Sequence, residues 1–152
     1  MKAVIQRVKR ASVTVEGEIC GKIDKGYLVL LGVVDGDTEF DADVLAKKTA
    51  SLRIFTDNDG KMNLDIKDVS GEVLAVSQFT LCADVKKGNR PSFTQSAAPA
   101  IANGLYELYC TKLSEYGVKN VEKGIFGADM QVELINDGPV TILYDSEIWR
   151  KK

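Results

Sequence analysis

The segment 27–34 constrains the fold more than any other part of the chain. It reads YLVLLGVV and carries no charged side chain. A strand that is apolar on both faces needs cover on both sides, which favours a central position in a sheet. We therefore predict one domain built around this strand, and 152 residues suffice for one core.

Further strands are predicted where β-branched and apolar residues alternate or cluster. Glu16-Gly17-Glu18 has the composition of a hairpin turn, and Asp59-Gly60 marks a second reversal inside 56–63. Asn136 to Pro139 is expected to turn the chain, so that the strand after it returns alongside the one before it. The predicted strands cover 2–8, 11–15, 19–23, 72–81, 118–126, 130–134 and 140–146.

Two helices are predicted from apolar residues at helical spacing. The first runs from an N-cap at Asp37 to about Leu52, with Asp43 and Lys47 as an i,i+4 pair on its outer side. The second runs from about Ser96 to Tyr116, with Pro99 in its first turn. Its apolar stripe is Ala102, Leu105, Tyr106, Tyr109, Leu113 and Tyr116. We expect an α/β fold of two stacked β-sheets with both helices on one outer face, in a single domain over 1–152.

The chain contains no histidine. This excludes Ser-His-Asp and Cys-His mechanisms within one chain and removes the commonest zinc ligand. Any hydrolytic chemistry must then use backbone N–H groups, hydroxyls, lysine, carboxylates or a group on the substrate. We expect neither a metal nor a cofactor.

The location is expected to be cytoplasmic. No apolar run approaches the roughly 20 residues that cross a bilayer, and charged residues interrupt the first ten positions. Cys20, Cys82 and Cys110 lack CxxC spacing, so each is interpreted as a small packing residue. A net charge of −2 argues against nucleic-acid binding by bulk electrostatics, but it leaves room for a local patch at Lys86, Lys87 and Arg90.

Four segments break the local folding patterns, which is where functional constraint is expected. Gln78 stands in an otherwise apolar strand, and two glycines flank Phe126, where backbone can approach a ligand closely. The segments are SQFTL (77–81), GNRPSF (88–93), GIFGADM (124–130) and NDGPVT (136–141).

These four segments, in this order and together with the N-terminal QRVKRASVTV, closely resemble the D-aminoacyl-tRNA deacylase family. The resemblance covers essentially the whole chain. It implies a homodimeric proofreading enzyme that hydrolyses the ester of D-aminoacyl-tRNA, and glycyl-tRNA as well, at the 3′-terminal aminoacyl-adenosine. It also implies that the Gly138-Pro139 peptide bond is cis and that this dipeptide enters the partner subunit's active site to reject L-amino acids.

The resemblance also implies roles for individual residues. Arg7 would anchor the Gly138-Pro139 element, whose alternative interpretation is an ordinary turn. The catalytic pocket would be lined by Ser77, Gln78, Phe79 and Thr80, with Phe126 and Met130 as pocket wall or, alternatively, as core. Lys86, Lys87 and Arg90 are candidates for phosphate contacts near the acceptor end of the tRNA.

Two other functions stay open at this point. One is an esterase or peptidase that acts on D-amino acid derivatives without RNA. The other is an RNA-binding or dimeric scaffold domain without activity, against which the balanced charge and the lack of aromatic-basic repeats argue.

Overall fold

The computed structural model describes residues 1–151. Within them, two α-helices and two short 3-10 helices accompany eight strands. The strands are β1 (Lys2–Val15), β2 (Glu18–Ile23), β3 (Gly26–Gly32), β4 (Phe55–Thr56), β5 (Met62–Leu64), β6 (Glu72–Ser77), β7 (Val121–Lys123) and β8 (Gln131–Asp145). The helices are α1 (Glu39–Ser51) and α2 (Pro99–Glu115), and the 3-10 helices are Phe79–Cys82 and Ser146–Trp149. No helix in the described part of the chain is long and apolar enough to span a membrane.

Six strands form one sheet in the order β2-β1-β3-β6-β7, with β8 paired to β1. The β3–β6 and β6–β7 pairs are parallel, and the other pairs in this sheet are antiparallel. The second sheet is only the β4–β5 hairpin. The chain is thus a mixed α/β domain with one large sheet and one small one, and the expected stacking of two sheets stays a prediction.

Strand β3 lies in the middle of the large sheet, as its apolar sequence predicts. Tyr27, Val29 and Leu31 belong to the core that faces the helices, whereas Leu28 belongs to a second apolar cluster. Their relative exposure is 2% or less, so both faces of the strand are covered. The second cluster also contains Val8, Val13, Ile23, Leu74 and Val76.

Both helices contribute their buried residues to the same core, so both lie on one face of the sheet. The predicted stripe of α2 is buried apart from Tyr116, which packs at the edge of this core, and the helix begins at Pro99. The predicted N-cap of α1 is wrong, because Thr38 holds that position and its N–H donates to Asp41 Oδ2 at 2.8 Å. Asp43 pairs with Lys112 of α2, not with Lys47.

Asp37 instead belongs to a polar group that we call the terminal ion cluster, made of Met1, Asp37, Asp41, Ser146 and Arg150. The Met1 ammonium lies 2.7 Å from Asp37 Oδ1 and 2.8 Å from Ser146 Oγ. Arg150 contacts both carboxylates, and Ser146 Oγ donates to Asp41 Oδ1 at 2.6 Å. Burial alone would raise the pKa of Asp41, but hydrogen bonds from Ser146, Arg150 and the Thr38 N–H lower it to about 2.

The most consequential difference from the sequence prediction concerns 136–139, which does not reverse the chain. Residues on both sides of this segment continue as one strand, β8, antiparallel to β1. Gln6 pairs with Thr141 and Val8 pairs with Asn136, so residues 137–140 bulge out opposite Arg7. Likewise, 2–8 and 11–15 form a single strand with register shifts, and β6 ends at Ser77 instead of reaching residue 81.

Candidate active site

An open cleft of about 850 Å³ lies where β6 ends. Six of the residues predicted from the sequence line it together: Ser77, Gln78, Phe79, Thr80, Phe126 and Met130. The remaining lining comes from Val76 of β6, from the end of β3 and Val33 just after it, from α2 and the loop before it, and from the segment 126–132. The fold thus brings together residues that are about 50 positions apart in the chain.

The polar end of β6 is explained by the way the strand stops. Ser77 makes the last pair with Leu31, and the Gln78 N–H still donates to Leu31 O at 2.8 Å. The chain then tightens into the 3-10 helix Phe79–Cys82, whose first N–H groups have no carbonyl one turn behind them. Within residues 1–151, the Phe79 and Thr80 N–H groups have no hydrogen-bond acceptor.

The Thr80 hydroxyl accepts a hydrogen bond from Gln78 Nε2 at 2.9 Å. The side chain is exposed, and no ionisable group hydrogen-bonds to it in the described part of the chain. An isolated hydroxyl of this kind has no base to activate it as a nucleophile.

The loop before α2 is held in place by backbone hydrogen bonds. Asp84 and Ser92 exchange backbone hydrogen bonds at 2.7 and 2.9 Å, and the Asp35 N–H donates to Gln95 O at 2.8 Å. These bonds hold Phe93 against Phe79, with ring centroids 5.1 Å apart in an edge-to-face arrangement. Lys86, Lys87 and Arg90 are exposed on the tip of this loop and are not among the residues that line the cleft.

The opposite wall is the turn at 124–130. The Ala128 N–H donates to Ile125 O at 3.2 Å, and Gly127 has a φ of +78°. Met130 packs over Gly124, where an added Cβ would come within 2.7 Å of the Met130 sulfur. Phe126 lies 6.3 Å from the ring of Tyr106, whose hydroxyl donates to Ala75 O at 2.6 Å and whose pKa is raised by burial.

Arg7, Gly138 and Pro139 lie outside the cleft lining. Arg7 Nε donates to Asp137 O at 2.8 Å, and Arg7 Nη1 donates to Ile54 O at 2.6 Å, so the guanidinium ties the bulge of β8 to the chain after α1. The Gly138–Pro139 peptide bond is cis. The Val140 N–H donates to Asn136 Oδ1 at 2.9 Å, which closes the base of the bulge.

Sequence reasoning missed Asp129, Ser96 and Tyr106 as lining residues. Asp129 stands inside the GIFGADM segment that the glycines had marked, and this was the only signal for it. Tyr106 belongs to the predicted apolar stripe of α2, and its side chain is almost fully buried.

The cysteines and the possible metal ligands form no second site in the described part of the chain. Burial raises the pKa of the Cys82 thiol and raises that of Cys110 to about 12, as expected for packing residues. Cys20 is exposed, so its interpretation as a packing residue is wrong. Within residues 1–151, no three His, Cys, Asp or Glu side chains lie together as metal ligands.

The fold and the cleft define a small α/β domain with an open, largely apolar binding site and two free backbone N–H groups at its edge. A family model described as D-Tyr-tRNA(Tyr) deacylase matches residues 4–145. The chain therefore belongs to the D-Tyr-tRNA(Tyr) deacylase family and is a hydrolase of the aminoacyl-tRNA ester bond.

Two solved structures are similar to the chain. One, titled "c-Myc DNA Unwinding Element Binding Protein", is 44% identical with a TM-score of 0.89, over 95% of this chain and 98% of that chain. The other, titled "Structural Analysis of a probable eukaryotic D-amino acid tRNA deacylase", is 18% identical with a TM-score of 0.80, over 94% of this chain and 97% of that chain. The second likeness supports the fold alone.

Proposed function

We propose that this chain hydrolyses the ester of D-aminoacyl-tRNA and of glycyl-tRNA, releasing the amino acid and the tRNA, and that it rejects L-aminoacyl-tRNA. The observation that carries the proposal is the cleft at the end of β6, where residues 77–80 lie together with Phe126 and Met130. An open apolar cleft with a few polar groups fits the terminal aminoacyl-adenosine of a tRNA.

Catalysis in this proposal rests on backbone groups. The Phe79 and Thr80 N–H groups stabilise the negative charge that develops on the ester carbonyl oxygen, which is the role of an oxyanion hole. Thr80 positions the substrate through its hydroxyl, which Gln78 orients. The 2′-hydroxyl of the terminal ribose assists the reaction, since the chain has no histidine to act as a base.

The chiral filter is proposed to come from a second copy of the chain. Gly138 and Pro139 lie on a bulge outside their own cleft, held there by Arg7, so they are available to a partner subunit. Their rigid carbonyl groups would face the substrate α-carbon and leave room for hydrogen or a D-side chain. An L-side chain would clash with them, and such a filter needs no recognition of the side chain itself.

Exposed apolar surface supports a homodimer. A second hollow of about 450 Å³ lies beside the two 3-10 helices, and its lining includes Val4, Leu81, Leu143 and Ile148. Leu143 is 73% exposed and Ile148 is 72% exposed, which is unusual for large apolar side chains grouped on a surface.

In the same proposal, Lys86, Lys87 and Arg90 contact phosphates of the acceptor end of the tRNA, and the enzyme works in the cytoplasm.

The deciding experiment is a single-turnover deacylation assay with matched D- and L-tyrosyl-tRNA, followed by glycyl-tRNA. We expect rapid hydrolysis of the D-tyrosyl and glycyl esters and far slower hydrolysis of the L-tyrosyl ester. Comparable rates for D- and L-tyrosyl-tRNA would contradict the proposed filter. Free D-tyrosine esters serve as a second substrate, because equal rates on them would favour an RNA-independent esterase.

A variant pair tests the source of the selectivity. Arg7→Ala removes the hydrogen bond to Asp137 O on the bulge and the hydrogen bond to Ile54 O that anchors the guanidinium, so we expect the D-to-L rate ratio to fall. Lys9→Ala alters an exposed residue on the same strand and is the matched control. An unchanged ratio in a folded, dimeric Arg7→Ala enzyme would remove Arg7 from the proposal. Sedimentation analysis of the wild-type protein gives the oligomeric state. A monomer would contradict the proposal that Gly138 and Pro139 act in the active site of a partner subunit.

A further inference from the structure

Asp129 is the one charged side chain among the residues that line the cleft. It is exposed, and within residues 1–151 it takes part in no ion pair and no side-chain hydrogen bond. Asp137, another acidic residue, lies on the β8 bulge beside Arg7 and is not among the residues that line the cleft. The cleft therefore carries one carboxylate whose charge the described part of the chain leaves unmatched.

The local structure presents this carboxylate at a defined place. The turn closed by the Ala128 N–H and Ile125 carbonyl precedes it, and Met130, packed over Gly124, follows it. Asp129 is thus the residue between two fixed positions of the cleft wall. Phe79, Phe93 and Phe126 supply apolar lining elsewhere in the same cleft, which strengthens any electrostatic interaction made inside it.

The charge of Asp129 also indicates which end of a substrate belongs beside it. A carboxylate repels the phosphates of a nucleic acid and attracts a cation. An aminoacyl ester carries one cationic group, the α-ammonium, next to the bond that is hydrolysed. We infer that Asp129 binds the α-ammonium of the aminoacyl group and makes the cleft selective for esters with a free amine, an assignment that rests on the proposed function.

This assignment makes Asp129 a specificity residue, distinct from the groups that stabilise the oxyanion. Its contribution should appear only with substrates that carry the ammonium. A hydrogen bond to a charged group at an open site is expected to change the rate by about tenfold.

The test compares D-tyrosyl-tRNA with the tRNA ester of the matching D-α-hydroxy acid, which replaces the ammonium by a hydroxyl of similar size. Single-turnover rates are measured for the wild type, for Asp129→Asn, and for Asp59→Asn as a control in an exposed turn. We expect the ratio of the amine rate to the hydroxy rate to be about tenfold lower in Asp129→Asn than in the wild type and the control. The change should come from slower hydrolysis of the amine substrate alone.

Two results would overturn the inference while leaving the deacylase activity in place. One is an Asp129→Asn enzyme that hydrolyses both esters as fast as the wild type does. The other is an Asp129→Asn enzyme that slows equally on both, because Asp129 would then only shape the cleft wall.

A binding titration separates this inference from the proposed function. The ligand is 3′-amino-3′-deoxyadenosine carrying D-tyrosine through a stable amide, compared with its α-hydroxy counterpart. We expect the wild type to bind the amine about tenfold more tightly, and Asp129→Asn to bind both equally. If D-tyrosyl-tRNA is not hydrolysed at all, the proposed function fails and this titration still decides the role of Asp129.

Discussion

Two polar regions of this molecule differ in whether their charged and polar groups have partners within the chain. In the terminal ion cluster, two buried carboxylates are matched by the Met1 ammonium and Arg150, and Ser146 bridges the Asp41 carboxylate and the Met1 ammonium. In the cleft, the Asp129 carboxylate and the N–H groups of Phe79 and Thr80 have no partner in the described part of the chain. No buried side-chain N or O atom in the described part of the chain lacks a hydrogen bond.

The difference separates stability from function. Polar groups that are removed from water need internal partners, because an unpaired buried charge costs several kcal/mol, on the order of 3. Groups that face an open cleft are hydrated until a ligand replaces the water, so they can remain unmatched. Changes in the first region should therefore act on folding, and changes in the second should act on rate or selectivity.

The largest expected effect on stability comes from Asp37→Asn. Removing this carboxylate leaves the Met1 ammonium without its buried counter-charge, and the loss should be about 3 kcal/mol in the free energy of unfolding. Urea denaturation measures it, with Asp129→Asn as the matched control that should leave stability within about 0.5 kcal/mol of the wild type. Equal stability losses in the two variants would contradict the view that the terminal ion cluster acts on folding and the cleft does not.

Strong acid should weaken the terminal ion cluster. The pKa of Asp41 is lowered from 3.8 to about 2, so its contribution is fully present above pH 4 and is lost as the pH falls toward 2. The loss should reach about 2 kcal/mol, since each pKa unit corresponds to about 1.4 kcal/mol. Denaturant unfolding curves recorded at several pH values measure this loss in the free energy of unfolding. An Asp41→Asn enzyme, already lacking this carboxylate, should show a shallower dependence in that window.

A smaller effect is expected from Thr80→Ala in the cleft. If Thr80 only positions the substrate, its loss removes one hydrogen bond of about 0.5–1.5 kcal/mol and slows single-turnover hydrolysis by roughly tenfold or less. A tRNA ester whose terminal ribose lacks the 2′-hydroxyl should instead react very slowly. A folded, tRNA-binding Thr80→Ala enzyme slowed by several orders of magnitude, with normal cleavage of the 2′-deoxy substrate, would show the proposed mechanism to be wrong.

Chelation should have no effect on the rate. The chain has no histidine, and its three cysteines are not spaced as ligands. Within residues 1–151, no three His, Cys, Asp or Glu side chains lie together to hold a metal ion. Deacylation by chelator-dialysed enzyme, with tRNA folded beforehand, provides the measurement. Activity that is lost and then restored by zinc or magnesium would refute this expectation.

Much of the fold follows from local patterns. Segment 27–34 predicts the central strand because apolar residues on both faces need cover on both sides, and Tyr27, Leu28 and Val29 are buried as this requires. The stripe of α2 is likewise set by helical spacing. Asp37 was misplaced because an aspartate before a helix resembles an N-cap, and its real partners, Met1 and Arg150, are distant in the chain.

The sequence by itself determined the helices, the central strand and, through four matching segments, the family. Only the tertiary structure decided that 137–140 is a bulge in one continuous strand, because turn-forming residues serve a reversal and a bulge equally well and pairing with β1 selects the bulge. It also decided that Asp129 shares a cleft with Thr80. Residues so far apart in sequence meet only when β6 and the segment after β7 pack together, which no local pattern encodes.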